Sequence, residues 1–178
     1  MEEKRLVKML KRGNQEAYYE LVSLYGNKLL RTSFLMVKDQ AEAEDIVQET
    51  FIKVFKYIKG FKGEGSLYTW IYRISQNIIK DRFKSQIYTV PYEDNEIVDF
   101  KTPEEIIINN IDREILKSEL DNLNFIYKQV LVLFYFNDLS IKDISQILDE
   151  KEGTIKSRLS RARVLLKEAL EKGGDFSG

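Results

Sequence analysis

Apolar residues recur at spacings of three and four along most of the chain, which is the period of an α-helix with one buried face. In the first half this pattern predicts helices over residues 2–12, 14–36 (one helix or a pair), 41–58 and 67–85. In the second half it predicts helices over residues 104–121, 125–136, 140–148 and 153–171. Since no segment alternates strictly between apolar and polar residues, as a half-buried strand does, the predicted fold class is all-α.

Three polar positions predict where helices begin. Asp39 followed by Glu42 forms a capping box, in which Asp39 accepts from a free backbone N–H and Glu42 reaches back. Ser66 precedes the fourth apolar stripe and is a favoured N-cap residue. Ser140 and Asp143 repeat the capping-box spacing before a short apolar helix.

An acidic stretch divides the chain. Residues 88–111 contain six acidic and one basic residue and include both prolines, Pro91 and Pro103. Proline and like-charge repulsion oppose compact structure, so this stretch is predicted to be a linker, with a long loop inside one domain as the alternative. The predicted architecture is two small helical domains, 1–87 and 112–172, joined by the acidic linker. Residues 173–178 are predicted to be a flexible tail.

Composition narrows the function classes. The chain has 43% hydrophobic and 32% charged residues and contains neither cysteine nor histidine. Disulfides, thiol catalysis and histidine-based catalysis are therefore excluded, and a metal site would need carboxylates alone. We expect no cofactor, no metal and no catalytic residue, although a helical enzyme using carboxylates stays open. The sequence lacks an apolar run long enough for a membrane span and an apolar signal core, so we expect a cytoplasmic protein.

The helix predicted over 41–58 has an unusual second face. Its core stripe is predicted to contain Ala43, Val47, Thr50, Val54 and Ile58. The opposite face and its shoulder carry Asp45, Gln48, Glu49, Ile52 and Phe55. Apolar side chains rimmed by acidic ones indicate a docking surface for a basic partner. The alternative is that this face is also buried, inside a helical bundle.

The segment 59–84 combines cations with aromatic residues. It contains six basic and two acidic residues, together with five of the chain's aromatic side chains. Its core stripe is predicted to be Leu67, Ile71, Ile74 and Ile78. The more outward positions are predicted to be Tyr68, Tyr72, Arg73, Gln76, Asn77 and Lys80. Interleaved cations and aromatics can bind unpaired nucleic acid, because rings stack on bases while cations neutralise phosphate. Ordinary core aromatics and surface bases are the alternative.

The last two helices resemble a helix-turn-helix. A short apolar helix is followed by a turn over 149–153, where Gly153 is predicted to supply backbone freedom. The next helix is predicted to bury Ile155, Leu159, Ala162, Leu166 and Ala169. Its outward face carries Lys156, Ser157, Ser160 and Arg161, with Arg158 and Arg163 on the shoulders. Arginine, lysine and serine at these positions suit major-groove base edges and phosphates, whereas a solvated basic face is the alternative.

Three blocks of sequence, in order, resemble the extracytoplasmic-function sigma factors, which are minimal two-domain bacterial sigma factors. The blocks are AEDIVQETF at 43–51, SLYTWIYRISQN at 66–77 and EGTIKSRLSRAR at 152–163. The resemblance implies a sigma factor that binds core RNA polymerase and directs promoter-specific initiation. It also implies that the acidic linker threads toward the polymerase active-site channel.

The resemblance assigns a role to each surface. It implies that the acidic helix binds the β′ clamp helices of polymerase through Asp45, Gln48, Glu49, Ile52 and Phe55. It implies that single-stranded −10 DNA is opened and held by Phe61, Lys62, Tyr68, Trp70, Arg73, Asn77, Lys80 and Arg82. It implies that the duplex −35 element is read by Thr154, Lys156, Ser157, Arg158, Ser160 and Arg161. The polymerase β flap and an anti-sigma factor, which could hold the chain at the membrane, are further implied partners.

Two features depart from the family pattern. Ile71 stands where primary sigma factors have a second aromatic residue, which implies a weaker strand-opening wedge and dependence on near-consensus promoters. Lys151 and Glu152 replace a frequent Pro-Val pair before Gly153. Two rivals also remain open beside the carboxylate enzyme. They are a regulator that binds only duplex DNA and a module that binds only proteins.

Overall fold

A computed structural model describes residues 2–84 and 113–174. Within these two ranges every regular element is helical, which confirms the all-α prediction. The chain forms two compact units. The first comprises the residues up to Lys84 together with Ser145–Asp149, and the second comprises the other described residues. The predicted linker 88–111 and the start of the helix predicted at 104 lie outside the described residues. Within the described ranges, no helix is both long and apolar enough to cross a membrane.

Residues 2–84 of the first unit form four α-helices and one short turn of 3₁₀-helix. They are α1 (Glu2–Lys11), α2 (Gln15–Val37), α3 (Gln40–Tyr57), the 3₁₀ turn (Ile58–Gly60) and α4 (Leu67–Arg82). Gly13 has a positive φ of 75° at the end of α1, a conformation that favours glycine. Asn14 then caps α2 by accepting from the N–H of Ala17 at 2.9 Å. The segment left open as one helix or a pair is one continuous helix.

The predicted N-caps of α3 and α4 are confirmed. Asp39 Oδ1 accepts from the N–H of Glu42 at 2.8 Å, and Ser66 Oγ accepts from that of Thr69 at 3.0 Å. The sequence also predicted that the Glu42 side chain reaches back to the start of α3. In the structure the Glu42 carboxylate instead accepts from Arg82 at 3.3 Å. A side chain on another helix therefore replaces the local backbone partner.

The core of the first unit lies between α2, α3 and α4, which pack on one another. In α3 the buried positions are Ala43, Ile46, Thr50, Val54 and, just beyond the helix, Ile58. The predicted stripe was thus right except that Ile46 is buried and Val47 is partly exposed. A helical wheel has no information on the tilt of a helix against its neighbours, which decides which of two adjacent apolar residues is covered.

The predicted outward positions Tyr72 and Gln76 of α4 are wrong. Both are buried, whereas Ile74 is partly exposed. Helix α4 packs against both α2 and α3, so its buried face is wider than a single stripe. The Tyr72 hydroxyl finds a partner inside the unit, since it lies 3.4 Å from Thr32 Oγ1. Burial of a tyrosine is tolerated where its hydroxyl has such a partner.

Residues 113–174 form four further α-helices. They are α5 (Arg113–Asn122), α6 (Phe125–Leu131), α7 (Ile141–Leu148) and α8 (Glu152–Gly174). A wider π-helical turn, Val132–Phe136, extends α6 to the predicted end. Helix α8 packs on α5 and α6. Its buried side chains are Ile155, Leu159, Ala162 and Leu166, which confirms the predicted stripe apart from the partly exposed Ala169.

The connection between α7 and α8 differs from the prediction in one respect. The Ser140 capping box is confirmed, with the N–H of Asp143 donating to Ser140 Oγ at 3.1 Å. Asp149, however, has the positive φ of 57°, and Gly153 lies inside α8. Aspartate tolerates this left-handed conformation better than most residues, so no glycine is needed at the turn. Gly173 and Gly174 also lie in α8, so the predicted tail begins too early.

Candidate polymerase-binding and DNA-binding surfaces

Helix α3 presents the apolar and acidic face that its sequence predicts. Ile52 is 65% exposed and Phe55 is 63% exposed, while Asp45 and Gln48 are exposed and Glu49 is partly exposed. The alternative that this is a second buried face is therefore wrong within this unit. Two large apolar side chains in solvent beside carboxylates form a surface suited to a partner with apolar and basic groups.

Sequence reasoning missed a second helix at this face. The ring of Phe55 packs against Tyr18 of α2, with centroids 4.8 Å apart. One turn further along α2, Val22 is 46% exposed. Burial raises the pKa of Tyr18, in keeping with a ring that is partly enclosed. In the sequence, Tyr18 and Val22 are recognisable only as two residues one helical turn apart. That spacing does not indicate that α2 lies beside α3.

The carboxylate of Glu49 is held by two cations. Lys53 Nζ lies 2.9 Å from it, and a guanidinium nitrogen of Arg82 lies 3.6 Å away. Arg82 also pairs with Glu42 at 3.3 Å, so it bridges two acids of α3 from the end of α4. The resemblance implies a DNA contact for Arg82, which stays a prediction, and in this structure its guanidinium is paired with carboxylates.

The aromatic residues of the first unit divide into two groups. Phe61 is only 6% exposed and packs under the partly exposed Trp70, with centroids 5.2 Å apart. The −10 contact that the resemblance implies for Phe61 stays a prediction, and in this conformation the ring is covered. It supports Trp70.

The second group surrounds the partly exposed Tyr68. Its ring centroid lies 5.7 Å from that of Tyr25 and 4.5 Å from that of Tyr72. Lys28 Nζ lies 5.7 Å from the centroid of Tyr68. Burial, then the nearby Glu3 and Tyr68, raises the pKa of Tyr25. Tyr25 and Lys28 come from α2 and were missed, since the sequence predicts no contact between them and α4.

The polar groups predicted to face the −10 strand are largely accessible. Lys62 in the loop and Arg73, Asn77 and Lys80 along α4 are all exposed. The spacing of Arg73, Asn77 and Lys80 places them on one side of the helix. This side combines hydrogen-bonding and cationic groups next to Tyr68 and Trp70, as a surface for unpaired nucleic acid requires.

Helix α8 exposes a polar and basic face near its N-terminus. Lys156 is exposed, while Thr154, Ser157, Ser160 and Arg161 are partly exposed. Among the residues that the structure describes, Arg161 has no ion-pair partner. These side chains suit the base edges and phosphates of a major groove.

Two other arginines of α8 are engaged within the unit. Arg158 pairs with Glu150 at 2.9 Å. Arg163 donates from Nε to the hydroxyl of Tyr135 at 2.9 Å. Sequence reasoning placed Arg158 among the DNA contacts and missed both partners. No cluster of potential metal ligands occurs in the described ranges.

Comparisons with known proteins identify both units. Residues 21–87 match sigma-70 region 2, and residues 113–166 match sigma-70 region 4. The chain is 32% identical to the ECF RNA polymerase sigma factor SigW of Bacillus subtilis, over 94% of this chain and 96% of that protein. This chain belongs to the extracytoplasmic-function family of RNA polymerase sigma factors.

Other relatives agree with this family. The ECF RNA polymerase sigma-E factor of Haemophilus influenzae is 32% identical over 93% of this sigma factor and 94% of its own length. A solved structure of CnrH in complex with the cytosolic domain of CnrY has a TM-score of 0.72 at 20% identity, covering 96% of this chain and 97% of that chain. The sigma factor RpoE of Bartonella quintana, solved with the anti-sigma factor NepR, has a TM-score of 0.64 at 23% identity, covering 86% and 96%. These structures share its fold.

The departure at Ile71 has a structural counterpart. Its side chain is fully buried in the core of the first unit, whereas the neighbouring Trp70 is partly exposed. The sigma factor therefore offers one aromatic ring at this point of α4. A role for Ile71 in opening DNA strands would require it to leave the core.

The Arg82 bridge yields a stability prediction. Replacing Arg82 by methionine should lower the free energy of unfolding by about 0.5–1 kcal/mol, because partly exposed ion pairs contribute little. Chemical denaturation at low and high salt measures this loss, which should shrink as salt screens the pairs. Lys80→Met is the matched control on the exposed side of α4. An equal, salt-independent loss in both variants would contradict the bridge.

Proposed function

We propose that the sigma factor divides its task among three surfaces. The face of α3 around Ile52 and Phe55 docks on the β′ clamp helices of core RNA polymerase. The exposed side of α4, with Trp70, holds the unpaired −10 strand. The outward face of α8 reads the duplex −35 element, and the second unit also contacts the polymerase β flap.

The observation that carries the proposal is the exposure of Ile52 and Phe55 among the acids of α3. Covering the part of each side chain that is still exposed would contribute about 1–2 kcal/mol, which this surface forgoes while it faces water. A regulator that binds only duplex DNA has no use for this face. A polymerase surface with basic and apolar groups would cover it, and the carboxylates would favour the correct orientation.

Unpaired −10 DNA fits the chemistry of α4. Tyr68 and Trp70 are partly exposed rings that can stack on bases, and Asn77 can donate to or accept from a base edge. Lys62, Arg73 and Lys80 supply positive charge for the backbone. With Phe61 covered and Arg82 paired, we assign them supporting roles rather than contacts with DNA.

The −35 element is read by fewer residues than the sequence predicts. Lys156 and Arg161 are the cations available for base edges or phosphates, and Thr154, Ser157 and Ser160 add hydroxyls. Arg158 instead holds Glu150, which stabilises the turn before α8.

The role of a sigma factor also bears on cofactors, cellular location and regulation. The sigma factor needs no catalytic residue or cofactor, because core polymerase performs nucleotide addition. We expect it to act in the cytoplasm, where the chromosome lies. Two of its structural neighbours were solved in complexes, one of them with a named anti-sigma factor. We therefore expect an anti-sigma factor to cover the same surfaces in the inactive state, with retention at the membrane where that factor is membrane-bound.

Promoter selection tests the proposal. The chain is mixed with core RNA polymerase and fragments of genomic DNA, and the retained fragments are sequenced. We expect a stable complex that enriches fragments sharing two short motifs at a fixed spacing. A chain that forms no complex with core, or that binds duplex fragments equally well without core, contradicts the proposal.

A further inference from the structure

The loop between the 3₁₀ turn and α4 is polar and exposed along its middle. Every residue of 62–66 is exposed. Gly63 and Gly65 have positive φ values of 79° and 96°. Glycine adopts this region of φ without strain and has no side chain to pack against the rest of the unit. The geometry of the loop therefore depends on how its two ends are held.

Helix α1 holds the first end. Lys11 Nζ donates to the carbonyl oxygen of Phe61 at 2.6 Å, across 50 residues of sequence. The same segment contacts α1 more broadly, because α1 packs on the turn Ile58–Gly60. A charged donor makes a stronger hydrogen bond than a neutral one. The carbonyl that opens the loop is thus fixed by a residue outside it.

The same helix holds the second end. Glu3 Oε1 accepts from the N–H of Leu67 at 3.1 Å, at the first residue of α4. This N–H would otherwise have no partner within α4, since the first N–H groups of a helix are unsatisfied. A carboxylate here also interacts favourably with the positive end of the helix dipole. Leu6 and Leu10 anchor α1, since both are buried in the core.

We propose that α1 is a brace for this loop, and that Glu3 and Lys11 are positioning residues for base discrimination in the −10 element. The inference rests on the proposed role of the loop and α4 in holding the unpaired strand. Neither residue touches DNA in this scheme. By fixing both ends of the loop, they limit the conformations in which Lys62 and the start of α4 meet a base.

The brace should affect selectivity more than affinity. A loop that is already held in one geometry loses little conformational entropy when it binds the correct base. The same loop cannot rearrange to fit a wrong base. A released loop still carries Lys62, so its electrostatic attraction to DNA remains. Loss of the brace should therefore let wrong bases be accepted.

The test compares promoters that differ at one base pair. Holoenzyme is assembled from core polymerase and the full chain, and the rate of open-complex formation is measured on a selected promoter and on versions with single −10 substitutions. For the double variant Glu3→Ala, Lys11→Ala, we expect the ratio of correct to substituted promoter to fall by about 5- to 10-fold at one position. Ratios for −35 substitutions should be unchanged.

Conservative variants separate positioning from general stability. Glu3→Gln retains an acceptor and Lys11→Arg retains a donor, so both should keep most of the discrimination. Glu2→Ala and Lys8→Ala are matched controls, because both residues are exposed on α1 and should leave the ratio at the wild-type value. The thermal unfolding midpoint and core affinity are measured for every variant. If the double variant has a lowered unfolding midpoint, the promoter ratio is measured for Lys11→Met instead. This variant removes the donor but keeps the apolar part of the side chain.

The outcomes distinguish the brace from the proposed function. A wild-type holoenzyme that ignores −10 substitutions overturns both. A wild-type holoenzyme that discriminates, with a double variant that discriminates equally well, overturns only the brace. A uniform loss on all promoters, in step with a lower unfolding midpoint, also overturns the brace in favour of a merely structural role. Loss of discrimination at one −10 position with normal core affinity supports it.

Discussion

Phe55→Ala is expected to weaken binding of core RNA polymerase by about 30-fold, because loss of a central aromatic anchor typically costs about 2 kcal/mol. The ring is 63% exposed, so the variant should fold normally, with only a small loss from the Tyr18 contact. Competition with a labelled wild-type chain for core polymerase measures the affinity. Thermal unfolding of the free chain measures stability.

Tyr57→Ala is the matched control for this experiment. Tyr57 is 53% exposed on the same helix, but two residues along an α-helix rotate the side chain by about 200°. We expect near wild-type affinity for Tyr57→Ala. Equal effects of the two substitutions, or no effect of Phe55→Ala, would contradict the assignment of this face to polymerase.

Arg161→Ala is expected to relax recognition at one base pair of the −35 element, at a cost of about 1–3 kcal/mol for the preferred base. Its guanidinium is partly exposed near the N-terminal half of α8 and can reach a guanine edge. Holoenzyme affinity for a set of promoters with every single −35 substitution measures the effect. A uniform loss across all sequences would instead make Arg161 a phosphate contact.

Arg158→Ala provides the contrast on the same helix. Because Arg158 is paired with Glu150, its loss should lower the stability of the second unit and reduce binding evenly across −35 sequences. A loss confined to one base pair for Arg158→Ala would contradict its assignment to the turn.

Local pattern predicted those features that depend on one helix alone. The exposed face of α3, the N-caps Asp39, Ser66 and Ser140, and most of the buried stripe of α8 all follow from spacing within a single segment. Helical period and capping chemistry act over a few residues, so one sequence is enough to locate them. The all-α fold was accessible for the same reason.

Features that depend on another helix were not predictable. Tyr72 and Gln76 are buried because α4 meets both α2 and α3, and Arg82 is paired because the end of α4 lies beside Glu42 and Glu49. The covering of Phe61 by Trp70 is also a tertiary contact. A sequence pattern locates a face but does not say what packs against it, so it predicts neither the covering of Phe61 nor the pairing of Arg82.

The turn before α8 shows a different limit. Glycine is the default residue for a positive φ, so the sequence pattern predicts that Gly153 turns the chain. Asp149 takes that conformation instead, and Gly153 becomes part of the helix. Since aspartate also populates the left-handed region, residue type alone does not decide which position turns the chain.

Run-off transcription tests the central claim most directly. Core RNA polymerase, the full chain and a promoter fragment chosen by selection are combined, and the transcripts are sized. We expect one discrete transcript that starts at a fixed distance from the two selected motifs and that disappears when the chain is omitted. The absence of any chain-dependent transcript, with no complex between the chain and core polymerase, would contradict the claim that this chain directs promoter-specific initiation.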